Sequence, residues 1–175
     1  MNTPSNLQKN KANYWALTPI SFLERTNKIW PEKTAWIHGS KSNTYKELHT
    51  RCLKIAKGLK FKGIKKGDTV AALLPNVPAM IECHFSVMMA GAILNTINTR
   101  LDSKAIAFIL KHGKARMVFV DPEFNEVIYK AIESIPEDKR PLVIKCKDEE
   151  FIKNSPLKGE ITSDDLVEMG NSNSP

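Results

Sequence analysis

The three cysteines are the side chains of this sequence with the most nucleophilic potential. They stand far apart, at Cys52, Cys83 and Cys146, and do not form the C-x-x-C spacing of redox or zinc motifs. A catalytic cysteine needs a local environment that lowers its pKa, and an odd, scattered set gives no sign of one. We therefore predict reduced thiols in a reducing compartment, without a disulfide framework or a structural zinc site.

His84 is the second candidate for chemistry. It stands in a predicted helix among Met80, Phe85 and Met88, and the nearest carboxylate, Glu82, belongs to another face of that helix. A metal site needs several ligands that converge on one point, so we expect none here. The mixture of apolar neighbours favours core packing, with the wall of an apolar pocket as the alternative.

The elements that position these residues begin with two helix-start signals. Thr18-Pro19 precedes an apolar stripe and predicts a helix from about Pro19 to Trp30, stopped at Pro31. Thr44 followed by Glu47 is a capping box, and it opens a long helix that Gly63 ends. Its predicted buried face carries Leu48, Cys52, Ile55, Ala56 and Leu59.

Strands alternate with helices along the rest of the chain. Residues 69–74 form a nearly continuous apolar run, which is typical of a parallel strand covered on both faces. An earlier pair of strands, within 34–45, predicts a hairpin at the edge. The alternation predicts an α/β fold with a mainly parallel sheet flanked by helices. Further helices are predicted at 78–90, 103–111 and 122–135, and further strands at 92–95, 116–120 and 141–145.

The pattern weakens after Cys146. Residues 161–167 predict a short capped helix, and 170–175 resemble a linker. We divide the chain into a disordered tail at 1–13, an α/β subdomain at 14–147 and a connecting segment at 148–175.

Composition excludes several classes of protein. At 175 residues, with 42% hydrophobic and 26% charged, the chain can bury a core. The net charge of +7 raises the question of nucleic acid, but the densest lysine run, within 54–66, lacks a known nucleic-acid motif. A solvated helix face is the favoured interpretation. The longest apolar run, near 85–97, is too short to cross a bilayer, and the polar start of the chain predicts a cytoplasmic protein.

Three segments carry a family resemblance. The sequence LPNVPAM at 74–80 continues through GAILNTINTRL at 91–101 to Asp121-Pro122. This pattern resembles the N-terminal part of the acyl-adenylate-forming enzymes, the AMP-binding acyl-CoA synthetases. It is most similar to the branch with bacterial short- and medium-chain acyl-CoA ligases and plant acyl-activating enzymes.

The resemblance implies a reaction in two steps for the parent enzyme. A carboxylic acid would attack ATP to give an acyl-adenylate, and CoA would then displace AMP, with Mg²⁺ neutralising phosphate charge. The family's phosphate loop and its later catalytic motifs do not occur in this sequence. We therefore expect an incomplete N-terminal subdomain with no catalytic residue, no metal site and weak binding of ATP, CoA and Mg²⁺.

The resemblance also assigns roles to three side chains. Arg100 in Asn98-Thr99-Arg100-Leu101 matches an Asn-Pro-Arg-Leu segment whose arginine contacts the phosphate of the CoA nucleotide, with Thr99 in place of proline. A guanidinium suits a bidentate phosphate contact. His84 and Met88 fall on a helix near the family's acyl-binding region and are candidates for lining that pocket.

Two other classes of protein stay open at this point. One is a free-standing, non-catalytic α/β binding or regulatory module, and the other is a basic nucleic-acid-binding protein. A subdomain cut from a larger enzyme should expose the apolar face that meets its partner, so self-association is a further expectation.

Overall fold

A computed structural model describes residues 15–148 and 161–172. Within them lie six α-helices and seven strands, and apart from strand β7, which was not predicted, they follow the predicted order. The helices are α1 (Pro19–Ile29), α2 (Tyr45–Phe61), α3 (Pro78–Met89), α4 (Ser103–His112), α5 (Asn125–Glu133) and α6 (Ser163–Ser172). The strands are β1 (Thr34–His38), β2 (Lys41–Thr44), β3 (Thr69–Leu73), β4 (Ile93–Thr96), β5 (Ala115–Val120), β6 (Leu142–Lys145) and β7 (Ile161–Thr162).

Five strands form one parallel sheet in the order β4-β3-β5-β6-β7. Strand β3 lies between β4 and β5 and is covered on both faces. Its residues Val70, Ala71, Ala72 and Leu73 are fully buried. This confirms the parallel-strand prediction for the apolar run at 69–74. All five strands end at the same edge, called here the carboxyl edge, where open α/β sheets commonly bind ligands.

The two faces of the sheet carry separate apolar cores. Side chains alternate along β3, so Val70 and Ala72 face a core with α2, α3 and α6, whereas Ala71 and Leu73 face α4 and α5. A third, smaller cluster joins Leu23 of α1 to α2, with the β1–β2 hairpin packed against it.

Capping explains where the helices begin. Thr44 and Glu47 exchange hydrogen bonds as a capping box at the start of α2, and Asp102 accepts from the Ala105 amide at 2.8 Å at the start of α4. Gly63 after α2 has φ +90 and Gly91 after α3 has φ +81. The positive angle at Gly63 confirms the predicted glycine stop, and Gly91 ends α3 in the same way.

Three sequence expectations need correction. The β1–β2 hairpin exists but forms its own two-stranded sheet, since β2 runs directly into α2. The helix predicted at 122–135 splits into a 3₁₀ turn, Pro122–Phe124, and α5, because Asp121 accepts the Glu123 amide at 3.0 Å and caps that turn. Gly170 does not begin a linker, since α6 continues to Ser172.

Close packing explains why α6 includes Gly170. A Cβ atom on Gly170 would lie 2.2 Å from the Lys54 carbonyl oxygen of α2, and one on Gly58 would lie 2.2 Å from the Leu166 carbonyl oxygen of α6. The two glycines therefore permit the backbones of α2 and α6 to touch. Residues 149–160, which precede β7, and the tail predicted at 1–13 lie outside the described residues.

Candidate functional site

A cavity of about 360 Å³ lies at the carboxyl edge of the sheet. Loops that follow β3, β5 and β6 form its floor, and the β1–β2 hairpin, α2, α3 and the start of α6 form its walls. Six polar side chains carry most of its chemistry: His38, Arg51, Glu82, Asp121, Asp148 and Asp164.

Arg51 links two carboxylates across this cavity. Its Nε donates to Glu82 Oε1 at 2.9 Å, and its Nη2 donates to Asp164 Oδ1 at 2.8 Å. The Glu82 side chain is only 7% exposed, and this desolvation raises its pKa even though Arg51 favours the charged form. Burial also disfavours the Arg51 cation, but the two carboxylates outweigh it and raise the Arg51 pKa. The network ties α2, α3 and α6 together.

Asp121 ends β5 and lies almost wholly buried at the floor of the cavity. Its Oδ1 accepts the Glu123 amide, whereas its Oδ2 has no hydrogen-bond partner among the described residues. Burial raises the Asp121 pKa. The Trp36 Nε1 donor on the cavity wall is likewise buried and without a partner within the described part of the chain. An acceptor and a donor are therefore left available on the lining.

His38 and Asp148 join the hairpin to the end of β6. The His38 Nε2 atom lies 2.8 Å from Asp148 Oδ2, and both side chains are mostly covered. This contact closes the cavity on the side of the β1–β2 hairpin. Asp148 is also the last described residue before residue 161.

The charges and thiols of the cavity limit its chemistry. The lining carries four carboxyl groups and three permanent cations, those of Lys41, Arg51 and Lys147. It therefore has no excess of positive charge that would attract a triphosphate. Burial raises the pKa of Cys146, the thiol on the lining, and it also raises the pKa of Cys52 in the core to about 12. These cysteines are therefore protonated thiols and not nucleophiles. The site can hold a polar group, but its described residues do not fit ATP.

The three side chains to which the family resemblance assigned roles lie away from this cavity. Arg100 follows β4, the outer strand of the sheet; it is exposed, and its amide donates to Asn98 Oδ1 at 3.0 Å. His84 is exposed on α3, where Nδ1 donates to the Met80 carbonyl at 2.7 Å, and Met88 is half-buried. None of the three lines the cavity.

Sequence reasoning missed the Arg51 network and the contact between His38 and Asp148. The paired residues are 31, 113 and 110 positions apart, so no local pattern connects them. One signal was available for Asp121, since a carboxylate directly after an apolar strand reaches the carboxyl edge of a parallel sheet.

Across 15–148 and 161–172, no three His, Cys, Asp or Glu side chains gather in a way that could hold a metal ion. None of the described helices is both long and apolar enough for a membrane crossing.

Comparison with known proteins gives a consistent result. The family described as AMP-binding enzyme matches residues 23–173. The chain is 37% identical over 179 residues to a peroxisomal acetate/butyrate–CoA ligase of Arabidopsis thaliana, an alignment with 97% of this chain and 32% of the relative. It is 48% identical over 127 residues to a peroxisomal trans-cinnamate:CoA ligase of Petunia hybrida, with 73% of this chain and 22% of the relative.

Solved structures show the same fold. A benzoate CoA ligase from Burkholderia xenovorans superimposes with a TM-score of 0.71 at 23% identity, over 85% of this chain and 28% of that one. The chain thus spans about a third or less of these relatives. The family match over most of the sequence and the parallel sheet with its loop-built carboxyl edge lead to one conclusion: the chain belongs to the AMP-binding enzyme family and matches only a part of its CoA-ligase members.

Proposed function

We propose that this chain is the front part of an ATP-dependent acyl-CoA synthetase. The parent enzyme would convert a carboxylic acid, ATP and CoA into acyl-CoA, AMP and pyrophosphate through an acyl-adenylate. The observation that carries the proposal is the family match over residues 23–173, together with relatives named as CoA ligases for acetate, butyrate and trans-cinnamate.

The chain alone would not carry out adenylation. Its carboxyl-edge cavity sets four carboxylates against three permanent cations, and its thiols are protonated, so neither a triphosphate site nor a nucleophile is available there. Loops from the rest of the parent enzyme would supply the phosphate cradle and the Mg²⁺ site. The chain's own contribution would be a rigid sheet edge on which those loops assemble.

Arg100 would contact a phosphate of the CoA nucleotide in the complete enzyme. Support comes from its exposed side chain and from the Asn98 side chain, which holds the Arg100 amide and so orders the loop. A guanidinium in an ordered loop can form a bidentate phosphate contact with little loss of entropy. His84 and Met88 would line the acyl pocket from α3, since neither side chain is buried in the core.

The remaining parts of the proposal concern organisation and location. Residues 14–147 would form most of the subdomain, and 148–175 would lead to the rest of the enzyme after adding β7 and α6 to the sheet and its core. Exposed side chains on α1, among them Phe22 and Trp30, would meet the missing part or cause the isolated chain to self-associate. We propose a cytoplasmic location and no nucleic-acid partner; two of the relatives are peroxisomal, so fluorescence microscopy of the tagged protein tests the location.

The test begins with the coding sequence downstream of residue 175. If it encodes the phosphate loop, the complete protein should release pyrophosphate only when ATP and a carboxylic acid are both present. Arg100→Ala should raise the KM for CoA about tenfold, the value of one charged phosphate contact, and leave adenylate formation unchanged. Arg25→Ala on α1 is the matched control.

Two outcomes would contradict the proposal. A stop codon after residue 175, with a monodisperse chain in solution, would favour a free-standing binding module. An equal loss of both half-reactions in the Arg100 variant would mean that Arg100 supports the fold and not CoA binding.

A further inference from the structure

A second cavity lies at the opposite edge of the sheet, where β5 and β6 begin. It measures about 880 Å³, and its wall is strongly cationic. We call it the basic groove and define it by its six basic side chains: Lys62, Lys111, Lys114, Arg116, Lys139 and Arg140. Asp138 is the one carboxylate on its lining among the described residues.

The two arginines of the groove are tied to the protein. Arg116 Nη1 donates to Asp68 Oδ2 at 2.8 Å and to the Gly63 carbonyl at 3.0 Å. Arg140 Nε donates to the Ile135 carbonyl at 2.9 Å and keeps its full charge. These contacts fix the walls of the groove.

The four lysines are different. They are Lys62, Lys111, Lys114 and Lys139. Within residues 15–148 and 161–172, none of these four lysines has a described salt bridge. Each comes from a separate segment: the end of α2, the end of α4, the start of β5 and the turn before β6. Lys62 is attracted by Asp165, whereas Lys111, Lys114 and Lys139 have no described carboxylate partner. Ammonium groups on one concave wall repel each other, and an anion would relieve that repulsion.

The backbone of Lys114 gives a second, independent observation. Its φ angle is +49, the one positive value of a non-glycine residue among those described. Glycine is the residue that adopts this region without strain, and Gly113 directly before it has an ordinary φ of −74. Lys114 closes the last turn of α4 through its amide, which donates to the Lys111 carbonyl at 3.1 Å, and it lies on the lining of the groove in a conformation that side chains other than glycine rarely adopt.

We propose that the basic groove binds a small polyphosphate anion. Lysine ammonium groups are compact point charges suited to phosphate oxygens. None of the described lining residues is aromatic, so the groove has no stacking surface for bases, and the phosphates themselves would be recognised. Its volume lies within the range of small-ligand sites.

The groove is separate from the site described above. It lies at the amino-terminal edge of the sheet, whereas Arg100 and the carboxyl-edge cavity lie at the carboxyl end of the strands. The inference therefore does not depend on the proposed ligase activity. An anion bound in the groove would contact the ends of α2, α4, β5 and β6 at the same time. It would therefore stabilise the fold or regulate the protein.

Isothermal titration of the intact 175-residue chain with tripolyphosphate tests the inference. We expect saturable binding that weakens with added salt. The double variant Lys111→Ala, Lys139→Ala should bind about tenfold more weakly, because two exposed ammonium groups are lost. The matched control removes Lys28 and Lys104, which are exposed lysines outside the groove; Lys104 begins α4, whereas Lys111 ends it.

Equal affinities of the double variant and its control would overturn the inference, since only the net charge of +7 would then attract the anion. Tighter binding of heparin or duplex DNA through the same lysines would also overturn it, in favour of a polymer. Lysines that serve only to offset the helix C-termini would change melting temperature and not affinity.

Lys114→Gly separates binding from folding. Glycine relieves the positive φ, so the melting temperature should rise by about 2–4 °C. The same variant should bind tripolyphosphate about threefold more weakly, because one ammonium group is lost. A variant that melts higher and binds as tightly as the natural chain would contradict the role of Lys114.

Discussion

Replacement of Arg51 by methionine tests the ion-pair network at the carboxyl edge. Methionine keeps much of the apolar stem and removes the guanidinium that bonds to Glu82 and Asp164. The Asp164 side chain is 73% exposed and can return to water, whereas that of Glu82 is 7% exposed. The loss therefore falls on Glu82, a carboxylate left in the interior without its partner.

The cost follows from the protonation of Glu82. Without Arg51, the Glu82 carboxyl group can stay buried in the folded chain only if it takes up a proton. In the unfolded chain the same group, with a pKa of 4.5, would release that proton at neutral pH. At about 1.4 kcal/mol per pH unit, keeping Glu82 neutral costs about 3 kcal/mol at pH 7 and about 1 kcal/mol at pH 5. Because the folded pKa of Glu82 lies above the unfolded one, stability falls as the pH rises.

Urea unfolding at both pH values measures this difference. Arg51→Met should lose at most about 3 kcal/mol at pH 7, because the raised pKa of Glu82 already costs the natural chain part of that amount, and much less at pH 5. The double variant Arg51→Met, Glu82→Gln should lose the extra pH dependence, because the titrating group is gone. Arg116→Met is the control: hydrogen bonds from the Lys65 amide and Arg116 lower the pKa of its partner, Asp68, which stays charged at both pH values and lies within reach of water, so a smaller loss that does not change between pH 5 and pH 7 is expected. A loss in Arg51→Met that matches this control, or does not change with pH, would refute the reasoning.

Three further predictions rest on buried groups. Gly170→Ala should lower the free energy of unfolding in urea by about 1–3 kcal/mol, since its Cβ would meet the Lys54 carbonyl at 2.2 Å; a gain from helix propensity alone would refute the contact. Burial raises the pKa of Cys52, Cys83 and Cys146, so a thiol reagent at pH 8 should label them at least tenfold more slowly in the native chain than in denaturant; rapid labelling would contradict their burial. Burial raises the folded pKa of Asp121, so the natural chain should lose stability as the pH rises from 4 to 7, and Asp121→Asn should lose less over the same range; parallel pH profiles of the two would argue against it.

Local signals predicted most of the fold because each acts over a few residues. The capping box at Thr44 and Glu47 and the positive-φ glycine at Gly63 mark the two ends of α2. The buried run at 69–74 identified the parallel strand. The same signals failed at β7, where only Ile161 and Thr162 pair with β6, since two residues show no periodicity.

The linker prediction at Gly170 failed for a related reason. A glycine near the end of a chain is typical of a turn, and only the approach of α2 reveals that it serves helix packing. The exposed apolar stripe on α1 is a similar case. Periodicity predicted the helix, but Phe22, Ile29 and Trp30 remain about half exposed because only Leu23 reaches a described core cluster.

Charge shows most clearly what sequence reasoning could not supply. The lysine run within 54–66 indicated a solvated helix face, and for Lys54 and Lys60 the structure gives no cause to change that interpretation. Lys62 belongs to the same run, yet the fold brings it to one groove with Lys111, Lys114 and Lys139. Residues so far apart in sequence converge only because parallel strands begin at one edge and the preceding helices end there. The same geometry sends Asp121, Cys146 and Ser163 to the opposite edge. The free Oδ2 atom of Asp121 at one edge and the cluster of lysines at the other therefore both follow from the topology of the sheet, which no local sequence pattern reports.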